Sequence, residues 1–198
     1  GGPADTVLTG GLVGNILLAA KGEVIGQGSL DFIYKSNYGE FIEKAKTIYA
    51  RYADKIVLPT DLGYVGNGVR RECRIGAVPT EICAVDIGSE TARQYESIIL
   101  AAKTVFVNGP MGIFEQPETE LGTKTVFEAL GNTAGYTVVG GGDSVTVYTL
   151  GGGGERHTRP LRGRHCYPEL SAFLESVQPQ GRAMIETAVP ALRLAGGR

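Results

Sequence analysis

Two glycine-rich segments hold the residues with the clearest chemistry in this chain of 198 residues. Residues 108–115 read Asn-Gly-Pro-Met-Gly-Ile-Phe-Glu, and residues 140–144 read Gly-Gly-Gly-Asp-Ser. Each segment follows a short apolar run, at 104–107 and at 136–139, and each precedes a stretch with helical potential. Successive strands that end in such turns form a ligand crevice at the carboxyl edge of an α/β sheet. The pair therefore predicts a nucleotide site.

The second segment is suited to an anion. Three glycines let backbone N–H groups approach a phosphate closely, and the dipole of a following helix adds positive partial charge at the same place. Asp143 would repel a bare phosphate, so its carboxylate favours a Mg²⁺ ion between the two. An ordinary glycine turn with Asp143 as a helix N-cap is the alternative, and the motif alone leaves both interpretations open.

Residues 108–115 include side chains that could line a binding site for a nucleoside. Gly109-Pro110 fixes a bend, and Gly112 allows close backbone approach. Ile113 and Phe114 offer apolar surface, and Glu115 offers a carboxylate that can accept a hydrogen bond from a ribose hydroxyl. A packed loop without a ligand is the alternative. Neither segment has the Walker lysine or the dinucleotide-binding fingerprint, which argues against those two classes of nucleotide-binding protein.

The composition is that of a soluble globular protein, with 42% hydrophobic and 20% charged residues. A formal net charge of −2 gives no sign of a nucleic-acid surface, and no run reaches the ~18 apolar residues of a membrane span. Cys73, Cys83 and Cys166 lack metal-ligand spacing, which predicts reduced thiols in the cytoplasm. We expect a cytoplasmic monomer. The chain opens on Gly1 without an initiator methionine, so we expect a fragment.

Strands and helices alternate along residues 1–150. Apolar runs predict strands at 5–9, 55–58, 82–87, 104–107 and 136–139. Helical periodicity predicts helices at about 12–20, 39–53, 89–102 and 118–130. Ser89 is expected to cap the third helix, and residues 62–80 are expected to be irregular. The alternation predicts an α/β fold with a Rossmann-like, three-layer parallel sheet covered by helices on both faces.

Five motifs of the chain together resemble those of a known protein family. Residues 107–115 and 140–144 look like the corresponding motifs of phosphoglycerate kinase. Three more matches agree in order and spacing: Thr9-Gly10-Gly11, Leu58-Pro59-Thr60-Asp61 and Val85-Asp86-Ile87-Gly88. The resemblance covers about residues 5–150. It implies reversible phosphoryl transfer between 1,3-bisphosphoglycerate and ADP, a glycolytic or gluconeogenic reaction that depends on positioning and electrostatics.

The resemblance also implies roles for individual residues. The nucleotide, ADP or ATP, would be bound by Gly10, Gly11, Ala84, Val85, Asn108, Pro110, Gly112, Ile113, Glu115, Asp143 and Ser144. The first four would flank the adenine, the loop from Pro110 to Ile113 would complete that wall, and Glu115 would meet the ribose. Asp143 would position Mg²⁺, and Ser144 would touch a phosphate. The N–H groups of Gly141, Gly142 and Asp143 would stabilise the transferring phosphoryl group as catalytic residues.

The chain departs from the family pattern. Ala84 stands where the family usually has glycine, which predicts a tighter adenine slot. A lysine-bearing Gly-Ala-Lys-Val segment before the first strand is absent, and so is the N-terminal domain that binds phosphoglycerate. We therefore expect residues 1–150 to be an incomplete nucleotide-binding domain without turnover of its own. A non-catalytic Mg-nucleotide-binding module or a folding-incompetent fragment is the alternative.

Residues 151–198 form an atypical tail with seven Arg and no Lys, whereas residues 1–150 have five Arg and seven Lys. Read from the second base of each codon, residues 155–168 can encode Ser-Val-Thr-His-Val-His-Ser-Gly-Gly-Gly-Thr-Val-Ile-Arg, close to a motif that the family places after Gly140. We hypothesise a frameshift and expect an irregular tail, weakly helical over 183–194. A basic phosphate-binding patch or a metal site at His157, His165 and Cys166 is the alternative.

Overall fold

The computed structural model describes residues 6–140 and 182–186, and within them the chain forms five α-helices and eight strands. The helices are α1 (Gly11–Ala20), α2 (Gln27–Lys35), α3 (Glu40–Tyr52), α4 (Ser89–Ala101) and α5 (Leu121–Asn132). The strands are β1 (Thr6–Thr9), β2 (Ile56–Val57), β3 (Asp61–Gly66), β4 (Val69–Arg74), β5 (Asp86–Ile87), β6 (Thr104–Asn108), β7 (Tyr136–Gly140) and β8 (Arg182–Glu186). In this part of the chain no helix combines the length and the apolar character that a membrane crossing requires.

A five-stranded sheet with the order β2-β1-β8-β6-β7 forms the centre of the fold, and every neighbouring pair in it is parallel. Ile185 of β8 pairs with Leu8 on one side and with Val107 on the other. β8 is therefore the middle strand, and it joins the pair β2-β1 to the pair β6-β7. The predicted parallel α/β sheet is confirmed.

Both faces of the central strands are buried, as a parallel sheet requires. Ala183 and Ile185 of β8 belong to a buried cluster with side chains of α4 and α5. Because side chains alternate along a strand, Met184 faces the other way, and it is 1% exposed. The sheet therefore has a core on each side.

A second core cluster packs α1, α2 and α3 together. Ile16 of α1, Ile33 of α2 and Phe41 of α3 are each fully buried in it. The sequence pattern predicted α1 and α3 but not α2. Polar or charged residues make up four of the nine positions of α2, only Ser29 and Ile33 are buried, and no side chain caps its first turn.

The region at residues 62–87 differs from the prediction. β3 and β4 form an antiparallel hairpin where an irregular segment was expected, and Asn67 and Gly68 both have positive φ in its turn. An Asn-Gly pair is a strong hairpin signal, but the charged side chains of β4 concealed it. The predicted strand at 82–87 is reduced to β5, which pairs antiparallel with β3 in a separate three-stranded sheet.

The tail also differs from the prediction where the structure describes it. Residues 182–186 are a strand, whereas weak helix was expected from residue 183 onward. Alanine and methionine favour helices, but burial between two strands overrides that intrinsic preference. The other tail residues, including His157, His165 and Cys166, lie outside the described residues, so the frameshift hypothesis stays a prediction.

The start of α4 is capped from another element. Ser89 was expected to be the N-cap, but Gly88 holds that position. The carboxylate of Asp61 in β3 accepts hydrogen bonds from the backbone N–H groups of Glu90 at 3.0 Å and Thr91 at 2.9 Å. These bonds satisfy donors that a helix leaves free at its first turn, and they attach α4 to the smaller sheet.

Replacing Ile185 by alanine tests the position of β8. Because Ile185 is fully buried between β1 and β6, Ile185→Ala should lower the free energy of unfolding by about 2–5 kcal/mol. The matched control is Val69→Ala in β4, a residue that is 57% exposed, with an expected change within about 0.5 kcal/mol. Urea denaturation measures both. Equal, small changes would place residues 182–186 outside the core.

Candidate functional site

An open cleft of about 330 Å³ lies beyond the carboxyl end of β1. Its walls come from the start of α1, from α2, from the segment 83–87 and from the loop 109–113, and most of the lining residues are apolar. Concave, largely apolar sites with a few polar groups are typical of small-ligand binding. The position agrees with the rule that ligands of α/β sheets bind beyond the carboxyl ends of the strands.

The residues predicted to flank an adenine converge on this cleft. Its lining includes Gly11, Ala84, Val85, Pro110, Gly112 and Ile113. Gly10 is packed directly against the loop 109–113, since a Cβ atom at Gly10 would lie 2.7 Å from the Sδ atom of Met111. Two motifs that are about a hundred positions apart in the sequence therefore meet at one place.

Asn108 and Glu115 do not line this cleft. Asn108 ends β6, and its Nδ2 atom donates to Oε1 of Glu186 at 3.2 Å. The exposed carboxylate of Glu115 accepts a hydrogen bond from the backbone N–H of Phe114 at 3.1 Å. Gly141, Gly142, Asp143 and Ser144 lie outside the described residues, although the preceding Gly140 pairs with Asn108 at the end of β7.

Gly112 lets the two sides of the cleft touch. A Cβ atom at this position would lie 2.1 Å from the carbonyl oxygen of Val85, so no larger residue fits without movement. The backbone N–H of Ile113 donates to the same carbonyl at 2.9 Å. The loop 109–113 is therefore held against the segment 83–87 by backbone contacts.

Several lining residues were not predicted from the sequence, and Phe32 is the most prominent. It is 54% exposed on α2, and Ile113 of the loop is 44% exposed. Aromatic and aliphatic side chains of this kind can cover a flat ring. Phe32 was missed because α2 was not predicted. The sequence signal for that helix was the spacing of four residues between Gln27 and Asp31, whose side chains are hydrogen bonded in the structure.

Asp86 carries the most perturbed carboxyl group near the cleft. Its Oδ2 atom accepts hydrogen bonds from Nη1 of Arg70 and from the N–H of Gly122, both at 2.9 Å. Oδ1 is buried and has no partner among the described residues. Burial raises the pKa of Asp86 to about 6, against the opposing effects of the Gly122 hydrogen bond and the Arg70 charge.

Among the described residues, three other titratable groups have raised pKa values, and of these only Cys83 lines the cleft. Cys73 and Cys83 are free thiols, and burial raises the pKa of each. The fully buried Tyr95 hydroxyl donates to the carbonyl oxygen of Thr9 at 2.6 Å, and burial raises its pKa above the ordinary value. Across residues 6–140 and 182–186, no three His, Cys, Asp or Glu side chains form a metal-binding group.

The comparison with protein families matches residues 2–158 to the model of phosphoglycerate kinase. This chain belongs to the phosphoglycerate kinase family. The phosphoglycerate kinase of Methanothermobacter thermautotrophicus is 37% identical over 164 residues, which are 77% of this chain and 40% of that protein. The one from Halobacterium salinarum is 39% identical over 148 residues, 74% of this chain and 37% of that protein. The predicted family is confirmed.

The solved structures agree on the fold. The crystal structure of phosphoglycerate kinase from Pyrococcus horikoshii OT3 matches with a TM-score of 0.68 and 28% identity, over 98% of this chain and 43% of that one. The enzyme of Coxiella burnetii matches with the same TM-score and 21% identity, over 98% of this chain and 44% of that one, which supports the fold alone. The chain spans 40% of the length of its Methanothermobacter relative.

The raised pKa of Asp86 predicts a pH effect on stability. Its folded-state pKa of about 6 lies above the ordinary value of 3.8, so the folded state takes up the proton first as the pH falls. As the pH falls from about 7 to about 4, the free energy of unfolding of the wild-type chain should therefore rise relative to that of Asp86→Asn. Urea denaturation of both proteins across this range gives the difference. A constant difference would mean that the Arg70 charge and the hydrogen bonds cancel the effect of burial on the pKa, and a falling difference would mean that they outweigh it.

Proposed function

We propose that this chain provides the Mg-ADP or Mg-ATP site of a phosphoglycerate kinase, in which the whole protein transfers a phosphoryl group reversibly between 1,3-bisphosphoglycerate and ADP. The observation that carries the proposal is the cleft beyond β1. Its lining joins Gly11, the segment 83–87 and the loop 109–113, which are parts of the sequence that resemble motifs of the family.

The adenine is proposed to lie between Ala84-Val85 and Pro110-Ile113. The backbone N–H of Ala84 donates to Oγ of Ser29 at 2.7 Å, and the carbonyl oxygen of Ala84 accepts from Nδ2 of Asn15 at 3.4 Å. The first wall is thus fixed before a ligand arrives. A preformed apolar slot lowers the ordering cost of binding, and Phe32 and Ile113 supply further apolar cover at its rim.

The ribose and phosphates are proposed to extend from this slot toward the carboxyl end of β7. The exposed carboxylate of Glu115 can accept from a ribose hydroxyl, and the glycine turn that begins at Gly140 would meet the phosphates with its N–H groups. Asp143 would hold Mg²⁺, which neutralises charge on the transferring phosphoryl group. Mg²⁺ on a nucleotide keeps several waters and needs few carboxylates, so one such residue fits.

The domain boundary is also a proposal. Residues 1–150 are assigned to the nucleotide-binding domain, and β8 is added to it because Arg182–Glu186 supplies the middle strand of its sheet. The remaining tail is assigned no role. Magnesium dependence, a cytoplasmic location and a monomeric state are proposed together with this function.

Binding of Mg-ADP tests the site, with Ile113→Asp as the variant. A carboxylate at this half-exposed position removes apolar cover and repels the nucleotide, so the affinity should fall by about tenfold or more. The matched control is Val69→Asp, which adds the same charge to an exposed valine away from the cleft; its affinity should stay within about twofold. Isothermal titration calorimetry measures both. Absent wild-type binding, or equal losses, would contradict the proposal.

Catalytic turnover by this chain would require a binding site for phosphoglycerate as well as one for the nucleotide. No Lys or Arg is among the residues that line the cleft, and phosphoglycerate is an anion whose recognition needs such cations. We expect the purified chain to bind Mg-ADP without phosphoryl transfer. A coupled assay with ATP and 3-phosphoglycerate measures this, and turnover that scales with the concentration of the chain would contradict it.

A further inference from the structure

The guanidinium group of Arg70 lies where three parts of the structure meet. Arg70 belongs to β4, and its side chain is 17% exposed. Nη1 donates to Oδ2 of Asp86 at 2.9 Å and to the carbonyl oxygen of Glu118 at 3.1 Å. Nη2 donates to the carbonyl oxygen of Ile87 at 3.0 Å, and Nε donates to Oε1 of Glu72 at 3.1 Å. One side chain of the hairpin therefore binds both β5 and the segment before α5.

The segment from Ile113 to Gly122 is attached to β5 and its preceding residue at both ends. At one end the N–H of Ile113 donates to the carbonyl oxygen of Val85 at 2.9 Å. At the other end the N–H of Gly122 donates to Oδ2 of Asp86 at 2.9 Å. The Arg70 contact with the carbonyl of Glu118 lies between these two points. The segment includes Ile113, which lines the cleft.

The structure keeps room for the guanidinium group at Gly63. A Cβ atom on Gly63 of β3 would lie 2.9 Å from Nη2 of Arg70 and 3.1 Å from its Cζ. A freely moving arginine would yield to a methyl group, but this one is held by four partners. Gly63→Ala should therefore displace the guanidinium group without removing any charged group from the chain.

We propose that Arg70 is a positioning residue for the nucleotide site, which it serves by fixing the segment 113–122 against β5. Arg70 is not among the residues that line the cleft, so it acts through Asp86 and Glu118. Without it the buried carboxylate of Asp86 loses its cationic partner, which is costly for a buried charge. The carbonyl of Glu118 also loses a charged donor. This inference rests on the proposed nucleotide function.

The test uses the whole chain and two measurements. Amide hydrogen exchange of Ile113 and Gly122 reports how firmly the segment is held, and calorimetry reports the affinity for Mg-ADP. Arg70→Gln and Gly63→Ala should each speed exchange at both amides by about tenfold and weaken Mg-ADP binding by about tenfold. The matched control is Arg71→Gln, since Arg71 is exposed on the other face of the same strand. It should change neither measurement.

The outcomes separate this inference from the function on which it rests. If the wild-type chain binds no Mg-ADP, the nucleotide proposal fails. If Arg70→Gln and Gly63→Ala both exchange these amides as slowly as the wild-type chain does, the proposed role of Arg70 is overturned. Faster exchange with unchanged Mg-ADP affinity would also overturn it, because a merely structural contact behaves in that way. If Arg70→Gln does not fold, the two measurements on Gly63→Ala test the role of Arg70, since that variant removes no polar group.

Discussion

The pairing of β8 with β1 and β6 is the contact on which the rest of the structure depends. In the described part of the chain β8 alone joins the two halves of the large sheet, and its register aligns Thr9, Glu186, Asn108 and Gly140 across four neighbouring strands. These residues stand at the carboxyl ends of their strands, and Thr9, Asn108 and Gly140 stand directly before or at the start of the glycine-rich segments. Strand register thus places turns from distant parts of the sequence in one row.

The smaller sheet supplies a second side of the cleft through β5 and the residues that precede it. β5 carries Asp86, whose carboxylate binds both Arg70 and the start of α5. β3 carries Asp61, which caps α4. Burying two carboxylates is costly unless each is hydrogen bonded, so both bind donors from other elements. The same bonds hold the cleft wall and the helices in a fixed relation.

The sequence allowed the parallel strands and the glycine motifs to be predicted, because apolar runs and turn residues are local signals. β8 could not be predicted in this way: Ala183 and Met184 have local preferences for helix, and only their distant partners make them a strand. The helix α4 was predicted, but its cap was not, since the capping residue, Asp61, lies in β3. α2 was missed because its apolar face is narrow, and Phe32 of the cleft was missed with it.

Binding of Mg-ADP in the cleft can be tested by titrating the isotope-labelled chain with Mg-ADP and following the amide chemical shifts in NMR spectra. If the cleft is the nucleotide site, saturable shifts are expected at Gly11, Ala84, Val85, Gly112 and Ile113, with no shift at Val69 on the hairpin. Shifts that do not saturate, or that cluster away from Gly11, the segment 83–87 and the loop 109–113, would contradict it.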